Sequence, residues 1–453
     1  MFSNDRDITK RHNSSVLNRK YRNQLLATIA VQILTFAHGI AIGWTSPTLL
    51  KLQSHDSPTN FVVSVEQASW IGSLFGLGSL VGNLFGFLLN RIGRKWCLYL
   101  MALPYIIAWI LIFFSKTYFY LYLARFLIGV TGGGIFLVIP IFISEIADAS
   151  LRGTLSSLLM LFLSFGIMVG FVFSSLLDYY LNSCIIITFP ILYLLALTKF
   201  PETPQFLLRK RKLKKLMKLL IEQQELNVDG EFQELKLNIL SNNIEEKVSF
   251  KDFVSVEALK TFFTAFMLLV LSQFSGCLAF LFYMSDIFAH AGTDIHPNTC
   301  TILTGIAQII GAFSTVILVD RFGRKPLMLV SSGGMAVGLL AFGFYIQFTT
   351  AELKLTYNWF PIVIMTFVIL LVNVAVTGLL IVEIFPAKIR APATTVCCFA
   401  TSLMIFAALK IFPLLLQNYG LATLLYFCGG VSVIGGLYIL LFLKETKGTS
   451  MDR

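Results

Sequence analysis

Acidic and basic side chains recur in two patterns that suit ion pairing. Glu145 is followed seven residues later by Arg152, and Glu383 is followed by Arg390 at the same spacing. A carboxylate and a guanidinium attract each other strongly at close range, yet a partly solvated pair separates at modest cost. The pattern therefore indicates reversible pairing rather than catalysis, which would need a nucleophile beside a base.

A shorter arginine-rich pattern also occurs twice, as NRIGRK at 90–95 and DRFGRK at 320–325. The short pattern repeats after 230 residues and the Glu-to-Arg pattern after 238, which are nearly equal separations. This predicts that the second half of the chain duplicates the first. The charged candidates for pairing are Arg91, Arg94, Glu145, Arg152, Asp320, Arg321, Arg324, Glu383 and Arg390.

Two amide side chains stand in otherwise apolar stretches. Gln273 lies three residues before Gly276, and Gln308 lies in the next apolar stretch. An unpaired amide in hydrocarbon is costly, so each amide must face protein or a water-filled cavity. Either a hydrogen bond between helices or contact with a polar solute would satisfy it.

The elements that position these side chains must lie in a membrane. Of 453 residues, 56% are hydrophobic and 13% are charged, whereas a soluble protein carries about 25% charged residues. The net charge of +11 would fit a nucleic-acid partner only on a soluble basic face. No nucleophile–base pair, phosphate-binding loop or metal motif occurs, so the sequence predicts neither an enzyme nor a cofactor.

Apolar runs long enough to cross a hydrocarbon core occur twelve times. We call them segments 1 to 12, and they lie near 25–47, 68–89, 96–115, 118–144, 155–177, 181–200, 258–288, 299–319, 326–348, 359–385, 393–416 and 421–443. The predicted fold is an all-α membrane protein, with twelve transmembrane helices arranged as two six-helix halves.

Lys and Arg residues predict which way the segments run. With a cytoplasmic N-terminus, the inner tails and connections hold 30 of the 35 basic residues and the outer connections hold three. Because cytoplasmic loops are enriched in Lys and Arg, both termini are predicted to be cytoplasmic. The predicted parts are a tail at 1–24, a first half at 25–200, a cytoplasmic linker with basic amphipathic helices at 201–257, a second half at 258–443 and a tail at 444–453.

Motifs along nearly the whole chain resemble one family. They are GWTSP at 43–47, NRIGRK at 90–95, ARFLIGVTGGG at 124–134, PIFISEIADASLRG at 140–153, PETPQFLL at 201–208, SQFSG at 272–276, VDRFGRK at 319–325, EIFPAKIR at 383–390 and ETKG at 445–448. The chain resembles the sugar porter family of the major facilitator superfamily, and within it the facilitative trehalose and glucose carriers of insects. The resemblance implies a twelve-helix carrier with a central cavity, whose halves rock to open it to each side in turn.

The resemblance also implies roles for particular side chains. The charged candidates would form an inner gate, and the substrate contacts would be Gln273, Gln308, Tyr283, Thr401 and Ser402. The chain departs from the family at Leu278, where the family has an Asn, and at 374–380, where VAVTGLL replaces a proline-rich stretch.

The predicted function is therefore facilitative transport of a hexose or trehalose at the plasma membrane. Proton-coupled relatives carry an Asp in segment 1, whereas this chain has Ile40 there and no carboxylate in 25–47, which favours a uniporter. The predicted partners are a small sugar and the lipid bilayer, without nucleic acid or an obligate protein partner. A non-transporting sugar sensor and a carrier of another small polar solute are the alternatives.

Overall fold

Every regular element in the described residues is an α-helix. The computed structural model describes residues 2–148, 151–210, 252–253, 255–350, 352, 356–374, 377–386, 389–443 and 445. The helices of the first half are Phe2–Gln53, Val65–Gly82, Phe85–Ile92, Arg94–Phe113, Tyr118–Ile146, Arg152–Leu176, Tyr179–Ile186 and Thr188–Thr198. A short helix, Pro204–Arg209, follows them. The first helix begins at Phe2, so it includes most of the predicted tail.

The second half contains the other six predicted segments, and its helices break at different places. Its helices are Val256–Phe274, Cys277–Ala291, Pro297–Phe322, Arg324–Phe348, Phe360–Val374, Thr377–Ile384 and Arg390–Phe442. The last of these contains segments 11 and 12, which part at Gly420, where the backbone φ is 79°. The basic amphipathic part of the linker lies outside the described residues, as does the C-terminal tail apart from Glu445.

The predicted membrane segments are confirmed as helices. Among the described residues, ten helices are long and apolar enough to cross a membrane. One of them, Pro392–Phe442, covers two predicted segments, and the shorter Phe360–Val374 belongs to segment 10. The twelve predicted segments are therefore all represented, and the all-α membrane fold is as expected.

Glycines let helices within the first half approach closely. Gly39 and Gly43 of segment 1 pack on the backbone of Gly166 and Gly170 in segment 5. A side chain at any of these four positions would collide with the facing backbone. Small residues at such contacts are the usual means of helix association in a membrane, where lipid removes most of the hydrophobic driving force.

The two halves share a hydrophobic core at one end of the bundle. We call the end that carries 90–95 and 320–325 the inner end, and the opposite end the outer end. One core joins the first half to the outer parts of segments 7, 10 and 11, including Phe280–Phe288 and Ile362–Leu371. The inner parts of segments 7, 10 and 11 form a core of their own, which includes Ala265, Phe385 and Ala393. The halves are therefore packed together at the outer end.

Candidate functional site

At the inner end of the first half, one arginine joins three elements. Arg94 Nη2 donates to Glu145 Oε1 at 2.7 Å, and both side chains are under a tenth exposed. Its Nη1 donates to the carbonyl of Leu89 at 3.3 Å. The backbone amides of Arg94 and Lys95 each donate to Glu202 Oε1 at 3.1 Å. Arg94 therefore ties the loop after segment 2 to the inner ends of segments 4 and 6.

The second half repeats this arrangement. Arg324 Nη2 donates to Glu383 Oε1 at 2.9 Å, and Nη1 donates to the carbonyl of Val319 at 3.4 Å. The backbone amides of Arg324 and Lys325 donate to the two carboxylate oxygens of Glu445 at 3.0 Å. The predicted duplication therefore extends to individual hydrogen bonds. We call each set a bracing network, since the contacts described lie within one half.

Glycine is required at the start of segments 3 and 9. Gly93 has φ 104° and ψ 163°, and Gly323 has φ 90° and ψ 177°, values that essentially only glycine adopts. A methyl group at Gly93 would also collide with the Glu202 carboxylate, and one at Gly323 would lie 2.8 Å from Glu445 Oε2. The glycine thus lets a carboxylate reach the free amides of a helix N-terminus, where negative charge is stabilised.

In the first half the pairing differs from the sequence pattern that first suggested it. Glu145 bonds to Arg94 rather than to Arg152, whose side chain is exposed. Arg390 Nε donates to the carbonyl of Phe385 at 3.2 Å. Arg91 and Arg321 are exposed at the inner end, and the Asp320 side chain lies outside the described residues.

Sequence reasoning missed Glu202 and Glu445 as members of the bracing networks. The sequence did contain a signal for them. Each glutamate is followed by a threonine just after the last segment of its half, and the two glutamates are 243 residues apart. This separation is close to that of the other repeats, so comparing the ends of segments 6 and 12 would have found them.

Gln308 is a buried amide that faces the first half. It is 3% exposed, and its Oε1 has no hydrogen-bond partner among the described residues. Gly305, three residues earlier, packs on Phe171 of segment 5, and Gly311 packs on the carbonyl of Leu370 in segment 10. Gln308 therefore lies on the side of segment 8 between the first half and segment 10.

The other predicted amide lies elsewhere. Gln273 is half-buried at the break in segment 7, just before Gly276, where φ is 92°. It lines a crevice with residues of segments 11 and 12, among them Phe412 and Cys428. The structure thus does not bring Gln273 and Gln308 into a common hydrogen-bonding group.

The remaining predicted substrate contacts take part in packing in this conformation. Tyr283 donates to the carbonyl of Leu409 at 3.0 Å and lies over Gly72, where an added methyl would strike its hydroxyl. Ser402 Oγ accepts from Asn83 Nδ2 in the first half at 3.1 Å. Thr401 bonds within its own helix.

Polar contacts close the outer end between the halves. Ser46 Oγ lies 3.0 Å from Ser285 Oγ and accepts from the Ser285 amide at 2.8 Å. Lys410 Nζ donates to Ser69 Oγ at 2.9 Å and lies 3.9 Å from the ring centre of Trp70. These contacts join segments 1 and 2 to segments 7 and 11, so the outer end would have to part for a solute to enter there.

Comparison with known proteins decides the family of this membrane protein. The profile described as "Sugar (and other) transporter" matches residues 26–453. The chain belongs to the sugar (and other) transporter family. The family resemblance expected from the motifs is confirmed, and the family and relatives are transporters rather than enzymes.

Insect relatives of this sugar transporter family member align over most of the chain. The facilitated trehalose transporter Tret1 of Culex quinquefasciatus is 29% identical over 444 residues, which are 95% of this chain and 84% of the relative. The protein of the same name from Bombyx mori is 28% identical over 436 residues, 95% of this chain and 85% of the relative.

Solved structures of the xylose transporter XylE from E. coli share the fold. The partially occluded inward-open conformation matches with a TM-score of 0.77 at 21% identity, over 94% of this chain and 99% of that chain. The inward-open conformation matches with a TM-score of 0.76 at 20% identity, over 96% and 98%. The likeness establishes the major facilitator fold.

Proposed function

We propose that the chain is a facilitative sugar carrier that works by alternating access, with a hexose or trehalose as its substrate. Family membership and the trehalose transporters among its relatives support a sugar substrate. The observation that carries the mechanism is the pair of equivalent bracing networks, one in each half. Each network stiffens its own half, and the closed outer end is held by contacts between the halves, such as that of Ser46 with Ser285.

A carrier of this kind needs two rigid bodies and contacts between them that break easily. The Arg94–Glu145 and Arg324–Glu383 pairs are largely buried, so removing one partner would leave an uncompensated charge. The polar contacts across the outer end are instead neutral hydroxyl bonds and one lysine, each of which contributes little net free energy. Rocking of the halves is therefore expected to part the outer contacts and leave the networks intact.

The proposed inner gate forms when the outer end opens. Glu145 Oε2 is buried and has no hydrogen-bond partner among the described residues, so it can still accept a bond. Among the charged candidates, Arg152 is the donor closest to Glu145 along the sequence, and its side chain is exposed. In the outward-facing state we expect the charged candidates of the two halves to meet across the inner end.

The proposed substrate site lies between the closed outer end and the inner end. Gln308 is its best-supported member, because a buried amide oxygen without a partner can accept from a sugar hydroxyl. Gln273, Tyr283, Thr401 and Ser402 remain proposed contacts, which would become available as their present packing partners move.

We propose transport without a coupled proton. Segment 1 holds no carboxylate, and Ile40 is fully buried. Arg125 of segment 4 has no carboxylate of segment 1 to pair with, and it donates to the backbone carbonyls of Ala41 at 3.0 Å and Ile71 at 3.3 Å. The buried cation is thus held by backbone carbonyls, and no acid in segment 1 is available to carry a proton.

Sugar uptake by cells that lack their own hexose and trehalose uptake tests this function. Cells that express the chain with a tag inserted after Ser57 should bind an antibody to the tag while intact, and a C-terminal tag should need permeabilised cells. The same cells should take up labelled trehalose or glucose, and a protonophore should leave the initial rate unchanged. If the chain reached the cell surface and bound a sugar without transporting it, the result would favour the sugar sensor. If it bound neither trehalose nor glucose, the proposal would be rejected.

A further inference from the structure

Segment 1 carries three completely buried polar side chains whose polar atoms have no hydrogen-bond partner in the part of the chain that the structure describes. Gln32, Thr35 and His38 are each 0% exposed. Both amide atoms of Gln32, the Thr35 hydroxyl and both ring nitrogens of His38 are without a partner among the described residues. Buried polar atoms in proteins are almost always paired, so these five atoms require an explanation. A sixth, the Trp44 indole nitrogen of the same helix, lies against the rings of Trp109 and Tyr179 in the first half.

Thr35 lies on the side of segment 1 that carries Ser46, with Gln32 and His38 on either side of it. At 100° per residue, Thr35 falls about 20° from Ser46 around the helix axis, and the three residues span about 120°. Ser46 contacts Ser285 of segment 7. Gly39 and Gly43 pack on segment 5 on the same side as Gln32, so Gln32 lies at the edge of this face next to segment 5.

Segment 4 borders the His38 side of this face, and its Gly132 leaves space for the His38 imidazole. A methyl group at Gly132 would lie 2.5 Å from His38 Cε1, so the ring fits only because that position is glycine. His38 stacks on Phe75 with ring centres 5.5 Å apart. Phe75 in turn meets Phe282 of the second half at 5.3 Å, which places His38 beside the interface between the halves.

We propose that this face of segment 1 lines the sugar path, and that Gln32, Thr35 and His38 bind substrate hydroxyls from the first half. The inference rests on the proposed function and adds a binding surface to it. An amide, a hydroxyl and an imidazole can each both donate and accept, as a sugar hydroxyl does. The substrate class that fits is an uncharged polyhydroxylated solute. The surface also compensates for the second half, where Leu278 stands in place of an amide.

The matched pair Thr35→Val and Thr45→Val tests the proposal. Both threonines are fully buried in segment 1, but the Thr45 hydroxyl donates to the carbonyl of Ala41 at 3.1 Å, whereas the Thr35 hydroxyl has no partner among the described residues. We expect Thr35→Val to raise the half-saturating sugar concentration in counterflow by about five- to tenfold. Thr45→Val should change it by less than about twofold, because no substrate contact is lost.

Gln32→Leu provides a second variant with an independent measurement. It should weaken sugar binding and leave the melting temperature of the sugar-free protein unchanged or higher, because an unpaired amide is replaced by an apolar group. The rise in melting temperature that sugar produces should shrink. Wild-type sugar affinity in both Thr35→Val and Gln32→Leu would overturn the inference, while a wild-type protein that neither transports sugar nor is stabilised by it would overturn the proposed function itself.

Discussion

A polar side chain inside a membrane protein is informative when its bonds can be accounted for one by one. Ser402 and Tyr283 have partners in this conformation, whereas Gln308 Oε1 has none among the described residues. The two groups therefore differ in what they can offer a substrate. A partnered hydroxyl must first give up a bond, while the Gln308 oxygen can accept one directly.

Replacement of Gln308 should separate binding from folding. We expect Gln308→Leu to weaken sugar binding by about 1–3 kcal/mol, because a substrate hydroxyl loses its acceptor, and to leave thermal stability unchanged. Equilibrium binding of labelled sugar to the purified protein measures the first, and its melting curve measures the second. Gln273→Leu is the comparison variant. We expect it to weaken sugar binding less, because Gln273 lines a crevice with residues of segments 11 and 12, away from Gln308. Full binding by Gln308→Leu would remove this residue from the site.

The sequence predicted which residue types matter at the inner end but not their partners. Glu145 pairs with Arg94 of a distant loop rather than with Arg152, seven residues later, and Glu383 pairs with Arg324 of the equivalent loop. Spacing along the chain gives positions on one helix, whereas the loop that approaches its end is set by tertiary packing. The unpartnered state of Gln32 is likewise a property of its neighbours and could not be read from sequence.

At the scale of the element, a glycine and a carboxylate act together to begin segments 3 and 9. The first amides of a helix lack partners within it, and Glu202 and Glu445 bind them. Lys325 Nζ adds a bond to the carbonyl of Leu440 at 3.0 Å, near the end of segment 12. The start of one helix is thereby fixed to the end of another.

Gly93→Ala should therefore destabilise the first half. The backbone conformation at Gly93 costs a non-glycine residue about 1–3 kcal/mol, and the added methyl also displaces the Glu202 carboxylate. Gly153→Ala is the matched control, since a methyl there meets nothing within 4 Å. Thermal unfolding of the purified variants should show a lower melting temperature for Gly93→Ala alone. Equal melting temperatures would contradict this account of the glycine.

Most elements could be predicted from sequence, because hydropathy and length fix a membrane helix almost by themselves. Segment 3 was expected at 96–115 and spans Arg94–Phe113. Breaks inside segments were harder to predict. Segment 7 is interrupted at Gly276, and Tyr283 also leaves helical geometry, although hydropathy predicted one continuous apolar run at 258–288. Such breaks depend on which neighbours accept the displaced backbone.

For the whole molecule, duplication explains why the two halves can move as equivalent bodies. The repeats at 230, 238 and 243 residues place the same three side chains in each bracing network. The polar contacts between the halves at the outer end involve hydroxyls and Lys410, and these part more readily than buried ion pairs. Alternating access follows if the outer contacts open while both networks persist.

A disulfide across the outer end tests this claim most directly. The Ser46 and Ser285 hydroxyl oxygens are 3.0 Å apart, so cysteines at both positions should lie close enough to be oxidised to a disulfide. In proteoliposomes that contain the Ser46→Cys, Ser285→Cys double variant, oxidation should abolish sugar counterflow, and a reducing agent should restore it. Each single variant, treated in the same way, should keep its activity. Mass spectrometry should first show that the oxidised protein is cross-linked. If this cross-linked protein carried out counterflow as fast as the same variant without the disulfide, alternating access through the outer end would be contradicted.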